Sequence, residues 1–182
     1  MFGDTTDGND NVLIRRGATD NQVIVVAFGL QQTYDNVTGL FINAGMGNDM
    51  ITLDKNFSLP ATLIGGAGND IITGAKGAES ISGGAGNDKL LGNDGNDTIN
   101  GDAGLDTIQG AFGDDLLNGG DEADSIDGAV GADTINAGAG NDNVTGGTQD
   151  DVINGDAGND KLYGGRDGDV INGGEGADSI FG

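Results

Sequence analysis

From Gly65 to Phe181 the sequence repeats every nine residues, thirteen times without interruption over 117 residues. One unit reads Gly65-Gly66-Ala67-Gly68-Asn69-Asp70-Ile71-Ile72-Thr73, another Gly83-Gly84-Ala85-Gly86-Asn87-Asp88-Lys89-Leu90-Leu91. Position one is Gly in twelve units, with Ala137 the exception, and position six is Asp in twelve, with Glu79 the exception. Only position eight is always aliphatic, from Ile72 and Ile81 to Ile171 and Ile180. Its neighbours are mostly polar, as in Thr98-Ile99-Asn100, which is the period-two signature of a very short strand with one buried face. One aliphatic per nine residues cannot build a helix face or a globular core. It builds a thin core when turns stack, each inward aliphatic packing on those above and below.

Composition matters here because it points the other way. With 38 Gly and a net charge of −23, the chain has the profile of a disordered segment, and only the spacing argues for a fold. The charge also excludes partners: nucleic acid and anionic membranes bind through Lys and Arg, and this chain has 7 of those against 30 Asp plus Glu. With no His and no Cys, it can form no Ser-His-Asp or Cys-His centre, no zinc site of the usual ligands and no disulfide. No run is apolar enough to span a membrane, and Met1 to Asp10 lacks the features of a signal peptide.

The loop half of each unit has its own chemistry. Glycines at positions one, two and four are expected to supply positive-φ backbone and to let carbonyl oxygens crowd inward. The Asp closing each loop adds a carboxylate, and loops from two stacked turns together give about six hard oxygen ligands, which suits calcium better than magnesium.

The motif Gly-Gly-x-Gly-x-Asp-x-aliphatic-x resembles the nonapeptide of RTX, or hemolysin-type, calcium-binding proteins. The resemblance implies a right-handed parallel β-roll (an all-β solenoid) with two nonapeptides per 18-residue turn and calcium between loops two repeats apart. It also implies export by a type I secretion apparatus, hence an extracellular location. Carried onto this sequence, the ligand carboxylates fall in two stacks. One comprises Asp70, Asp88, Asp106, Asp124, Asp142, Asp160 and Asp178; the other comprises Glu79, Asp97, Asp115, Asp133, Asp151 and Asp169. Six gaps and five gaps make eleven the ceiling on full sites. Departures mark the doubtful ones: Glu122, Gln149 and Asp167 at position four, and Ala75, Asn93, Asp102, Ala111, Ala129 and Asp156 at position two, while Glu79 has a longer arm.

An 18-residue period is visible without the family. Asn100, Asn118, Asn136, Asn154 and Asn172 hold position nine of every second unit, and stacking them predicts a hydrogen-bonded asparagine ladder. Residues 1–64 differ in kind and are expected to form an N-terminal β cap, followed by the repeat roll over 65–182. Fragments of the repeat persist at Asp7-Gly8-Asn9-Asp10 and Ala44-Gly45-Met46-Gly47-Asn48-Asp49, the second out of phase because Ile51 and Leu63 are twelve residues apart. Gln22 to Phe28 is the most strand-like run and pairs in expectation with Asn11 to Arg15 as a hairpin across residues 16–21. The sequence stops at Gly182 in phase, without a capping unit or a C-terminal export signal, and so reads as part of a longer chain or as one whose last turn a partner covers.

The expected function is calcium binding that folds a secreted, non-catalytic module. The alternative is a structural or adhesive solenoid in which calcium is only a staple. Ice binding is disfavoured there, since position three is Thr only at Thr148.

Overall fold

The computed structural model describes residues 8–18, 22–27 and 30–182, and among these it contains strands and no helix. The strands are β1 (Asn11–Arg16), β2 (Val23–Ala27), β3 (Leu30–Tyr34), β4 (Leu40–Met46), β5 (Met50–Leu53), β6 (Ala61–Ala67), β7 (Ile71–Thr73) and then one per nonapeptide from β8 (Glu79–Ala85) to β19 (Ser179–Phe181). Even-numbered strands from β4 to β18 form one eight-stranded parallel sheet, and odd-numbered strands from β5 to β19 stack in the other, so each turn contributes once to each face. The result is a β-solenoid of about eight turns. Register within the array is 18 residues, as in Ile81 beside Ile99 and Ile99 beside Leu117.

The position-eight aliphatics explain why the turns stack. From Ile72 to Leu162 every one is buried, facing its equivalents above and below, and each such side chain contributes roughly 1.5–3 kcal/mol. At the C-terminal end the column opens: Ile171 is partly buried, and Ile180 and Phe181 are exposed. The position-nine asparagines from Asn100 to Asn154 form the expected ladder, with Asn118, Asn136 and Asn154 Nδ2 each donating to the Oδ1 of the asparagine one turn before, at 2.8–2.9 Å.

The phase break near residue 54 has a simple geometry. Strands β4 and β5 stack on β6 and β7 with a 21-residue offset (Ile42 beside Leu63, Ile51 beside Ile72), and the three extra residues lie in the loop 54–60. That loop turns Phe57 into the core, where it is 2% exposed. The hairpin is also present: β1 pairs antiparallel with β2 from Val12–Ala27 to Arg16–Val23, and β3 adds a third strand beyond it. Residues 19–21 of the expected turn, and Phe28, lie outside the described residues. On its other edge β1 pairs in parallel with β5, which joins the hairpin to the odd-numbered sheet.

Candidate metal centre

Positions one, six and eight point inward, so each half-turn buries one carboxylate beside one aliphatic. Of the twelve aspartates carried over from the motif, ten are buried, and Asp169 and Asp178, on the last turn of each stack, are half-buried. All twelve join two hydrogen-bonded columns. Asp88 Oδ1 accepts the Asp70 N–H at 2.7 Å, Asp106 Oδ1 that of Asp88 at 2.8 Å, and Asp124 Oδ1 that of Asp106 at 2.8 Å. The column continues through Asp142, Asp160 and Asp178. The second column runs the same way from Glu79 through Asp97, Asp115, Asp133 and Asp151 to Asp169. Each carboxylate therefore reaches back into the gap between its own turn and the one before.

The glycines divide their work differently from expectation. Positions two and four do adopt positive φ, for example Gly84 at 108° and Gly86 at 130°. Asn93, Asp102, Ala111, Ala129 and Asp156 at position two, and Glu122, Gln149 and Asp167 at position four, adopt it as well, so these substitutions leave the loop path intact. Position one has no positive φ, which corrects the expectation for it. Glycine supplies space there, although Ala137 keeps a buried Cβ at the same position: a Cβ on Gly65 would meet Asp70 Oδ2 and would lie 2.7 Å from the Gly83 carbonyl oxygen. The same pair of oxygens crowds Gly83, Gly92 and Gly128.

The loop 74–79 is the exception. Neither Ala75 nor Gly77 has positive φ, and Glu79 Oε2 accepts the N–H of Ala75 in its own loop at 2.9 Å. The inserted loop explains this, because the Lys76 N–H donates to the Phe57 carbonyl at 2.9 Å and holds the chain in another path.

The second carboxylate oxygen decides the chemistry. Among the described residues, twelve buried carboxylate oxygens have no hydrogen-bond partner: Oδ2 of Asp49, Asp70, Asp88 and their successors through Asp160, together with Oε1 of Glu79. Where position one is glycine, as at Gly65, Gly83 and Gly92, the unpartnered oxygen of Asp70, Asp88 or Asp97 and a carbonyl oxygen of the following turn crowd the same space, two acceptors with no donor between them. A proton or a cation resolves such an arrangement. Burial is the main cause that pushes Asp88, Asp97, Asp124 and Asp133 up to about 7 and Asp115 up to about 6; the backbone N–H bond opposes it, and neighbouring carboxylates add to it. No three acidic side chains among the described residues converge on one point, so a cation held between turns must take carbonyl oxygens into its shell. Carbonyls and carboxylates in that mixture are the hard donor set calcium prefers, and the residues present fit it.

A family model for the RTX calcium-binding nonapeptide repeat matches the chain in overlapping copies at 62–90, 73–108, 91–126, 109–144, 127–162, 136–170 and 154–182. The chain belongs to this family. Its RTX repeats and their solenoid support calcium binding by the repeat loops. No curated protein matches the chain.

Two features of the RTX loops escaped the sequence reading. The carboxylate column extends beyond the array to Asp49 and Asp10, both buried. The signal was present in Gly47-Asn48-Asp49 and Gly8-Asn9-Asp10, but the spacings of 21 and 39 residues hid the alignment. Position five carries a second ladder running the opposite way: Asn69 Oδ1 accepts the Asn87 N–H at 2.8 Å, and Asn87 Oδ1 the Leu105 N–H at 2.9 Å.

Proposed function

We propose that Asp70, Asp88, Asp97, Asp106, Asp115, Asp124, Asp133, Asp142, Asp151, Asp160, Asp169 and Asp178 hold calcium ions between successive turns, and that this binding folds the roll outside the cell as a non-catalytic module of a longer secreted protein. The observation that carries the reading is the column of buried, unpartnered carboxylate oxygens facing carbonyl oxygens. Calcium supplies the positive charge these sites lack. The array from residue 65 onward has 23 acidic residues against Lys76, Lys89, Lys161 and Arg166, and without metal that charge opposes compaction. Eleven gaps remain the ceiling within the array, and the gap under Asp97 is the weakest, since the loop 74–79 below it follows a different path. Site affinities in the ~10⁻⁴–10⁻³ M range of extracellular modules keep the chain largely unfolded where calcium is scarce, a state suited to export. Type I secretion is the route the family suggests, and among the described residues no helix is long and apolar enough to cross a membrane.

The test is a calcium titration followed by circular dichroism. β-Sheet signal should rise with calcium and disappear in excess chelator, and a spectrum indifferent to chelator would sink the reading. The adhesive alternative draws on one observation, the asparagine ladder on the outer face of the even-numbered sheet. Its mark would be surface or ice adsorption that survives substitution of those asparagines poorly and of the aspartates well.

A further inference from the structure

The carboxylate column continues where the nonapeptide register stops. Asp70 Oδ1 accepts the Asp49 N–H at 2.7 Å, and Asp49 Oδ1 accepts the Asp10 N–H at 2.6 Å, so Asp49 lies in the same column as the array although it falls outside the matched span 62–182. Its loop has the backbone of a repeat: Gly45 and Gly47 have φ of 105° and 119°, as positions two and four do. The Gly8 carbonyl oxygen abuts Gly47, just as the Gly47 carbonyl oxygen abuts Gly68 one turn on. Even the position-five ladder is kept, with Asn9 Oδ1 accepting the Asn48 N–H at 2.8 Å. Asp49 itself is 3% exposed; its Oδ1 reaches the Asp10 N–H, and its Oδ2 has no partner.

We propose that Asp49 holds a further calcium ion between the segments 8–10 and 44–49, and that this ion fastens the N-terminal strand to the roll. The inference rests on the calcium reading of the array but concerns a site that the nine-residue period does not contain. Its position gives it a distinct consequence. β1 starts immediately after Asp10 and β5 immediately after Asp49, and the two pair in parallel over only four residue pairs, from Asn11–Met50 to Ile14–Leu53. A cation between Asp10 and Asp49 sits at the root of both strands. It neutralises a buried charge at the one place where the hairpin enters the odd-numbered sheet, so attachment of the hairpin becomes calcium-dependent.

The full chain tests this with Asp49→Asn, which keeps an Oδ1 acceptor for the Asp10 N–H and removes the charge, and with Asp97→Asn as a change inside the array. Equilibrium dialysis gives ions bound per chain, and hydrogen exchange gives the protection of amides 11–16 and 98–172 in saturating calcium. Asp49→Asn should bind one ion fewer and exchange amides 11–16 at least ten-fold faster, with 98–172 unchanged. Asp97→Asn should lose an ion without exposing 11–16. A full ion count and wild-type protection in Asp49→Asn overturn the proposal. Should that variant not fold, Asp49→Glu displaces the carboxylate and keeps the charge; it should weaken one site at least ten-fold, and wild-type affinity at every site overturns the proposal equally. Absence of calcium binding by the wild type overturns the array reading instead, a result distinct from either.

Discussion

Buried carboxylates set the pH behaviour of the metal-free protein. Desolvation holds Asp88, Asp97, Asp124 and Asp133 near 7, above the ordinary carboxylate value of about 3.9, so the folded chain keeps protons that the unfolded chain has released. Stability from these groups is fully present below about pH 4 and is lost as pH rises through about 7. Circular dichroism in chelator should therefore show more β-sheet signal at pH 5 than at pH 8, where the metal-free chain is largely unfolded. Calcium reverses the order, because it binds the deprotonated form and so competes with protons. A β-sheet signal in chelator that rises from pH 5 to pH 8 would contradict the burial of these groups. Backbone strain belongs to the same scale. Ala111 and Ala129 hold φ of 87° and 77°, where an L-residue costs about 1–2 kcal/mol. Ala129→Gly should raise stability by about 1 kcal/mol in denaturant titrations, while Ala85→Gly, at position three of its nonapeptide and the end of β8, outside the positive-φ region, should not.

Between residues and fold stands the loop pair, the unit through which damage spreads. Asp106 Oδ1 accepts the Asp88 N–H, and the Asp106 N–H donates to Asp124, so Asp106→Ala disturbs the gaps below and above. Asp178 Oδ1 accepts the Asp160 N–H at 3.0 Å, the last bond of its column among the described residues, and Asp178 is half-buried, so Asp178→Ala disturbs one. Neighbour-coupled repeats make the interior change the costlier, and titrated side by side it should lower calcium cooperativity more; equal losses would argue against shared gaps. Much of this unit was legible in the sequence, because a fixed period converts directly into a stack. The aliphatic column and the asparagine ladder of Asn100, Asn118, Asn136 and Asn154 both follow from counting. Counting fails where a loop insertion interrupts the period. The extra residues in 54–60 shift Asp49 out of phase without moving it out of the column. At position one the sequence reading already included bare space, but glycine serves positive φ as well, and only the placement of Asp70 Oδ2 against Gly65 shows that space alone is the reason there.

At the scale of the molecule, a thin core needs an end, and the apolar residues before the array supply one. Val12, Ile14, Val23 and Val25 are buried in the same core as Ile51 and Leu53, so the hairpin covers the odd-numbered sheet where β5 would otherwise show an edge. β6 runs through residues 64 and 65, which means that a deletion ending at 64 would cut a strand; removing residues 1–39 spares it. That deletion uncovers Ile51 and Leu53 and frees the hydrogen-bonding edge of β5, while β4 to β19 and the array carboxylates stay in the chain. Since the loss falls on apolar cover and on Asp10, the truncated protein should still bind calcium but need more of it to fold. The open edge should make it associate, since an unpaired strand is a template for another chain. Calcium midpoints from circular dichroism and masses from analytical ultracentrifugation measure both effects. A truncated chain that remains monomeric with the midpoint of the intact protein would mean that the roll closes its own end, and that the hairpin is an independent attachment with another purpose.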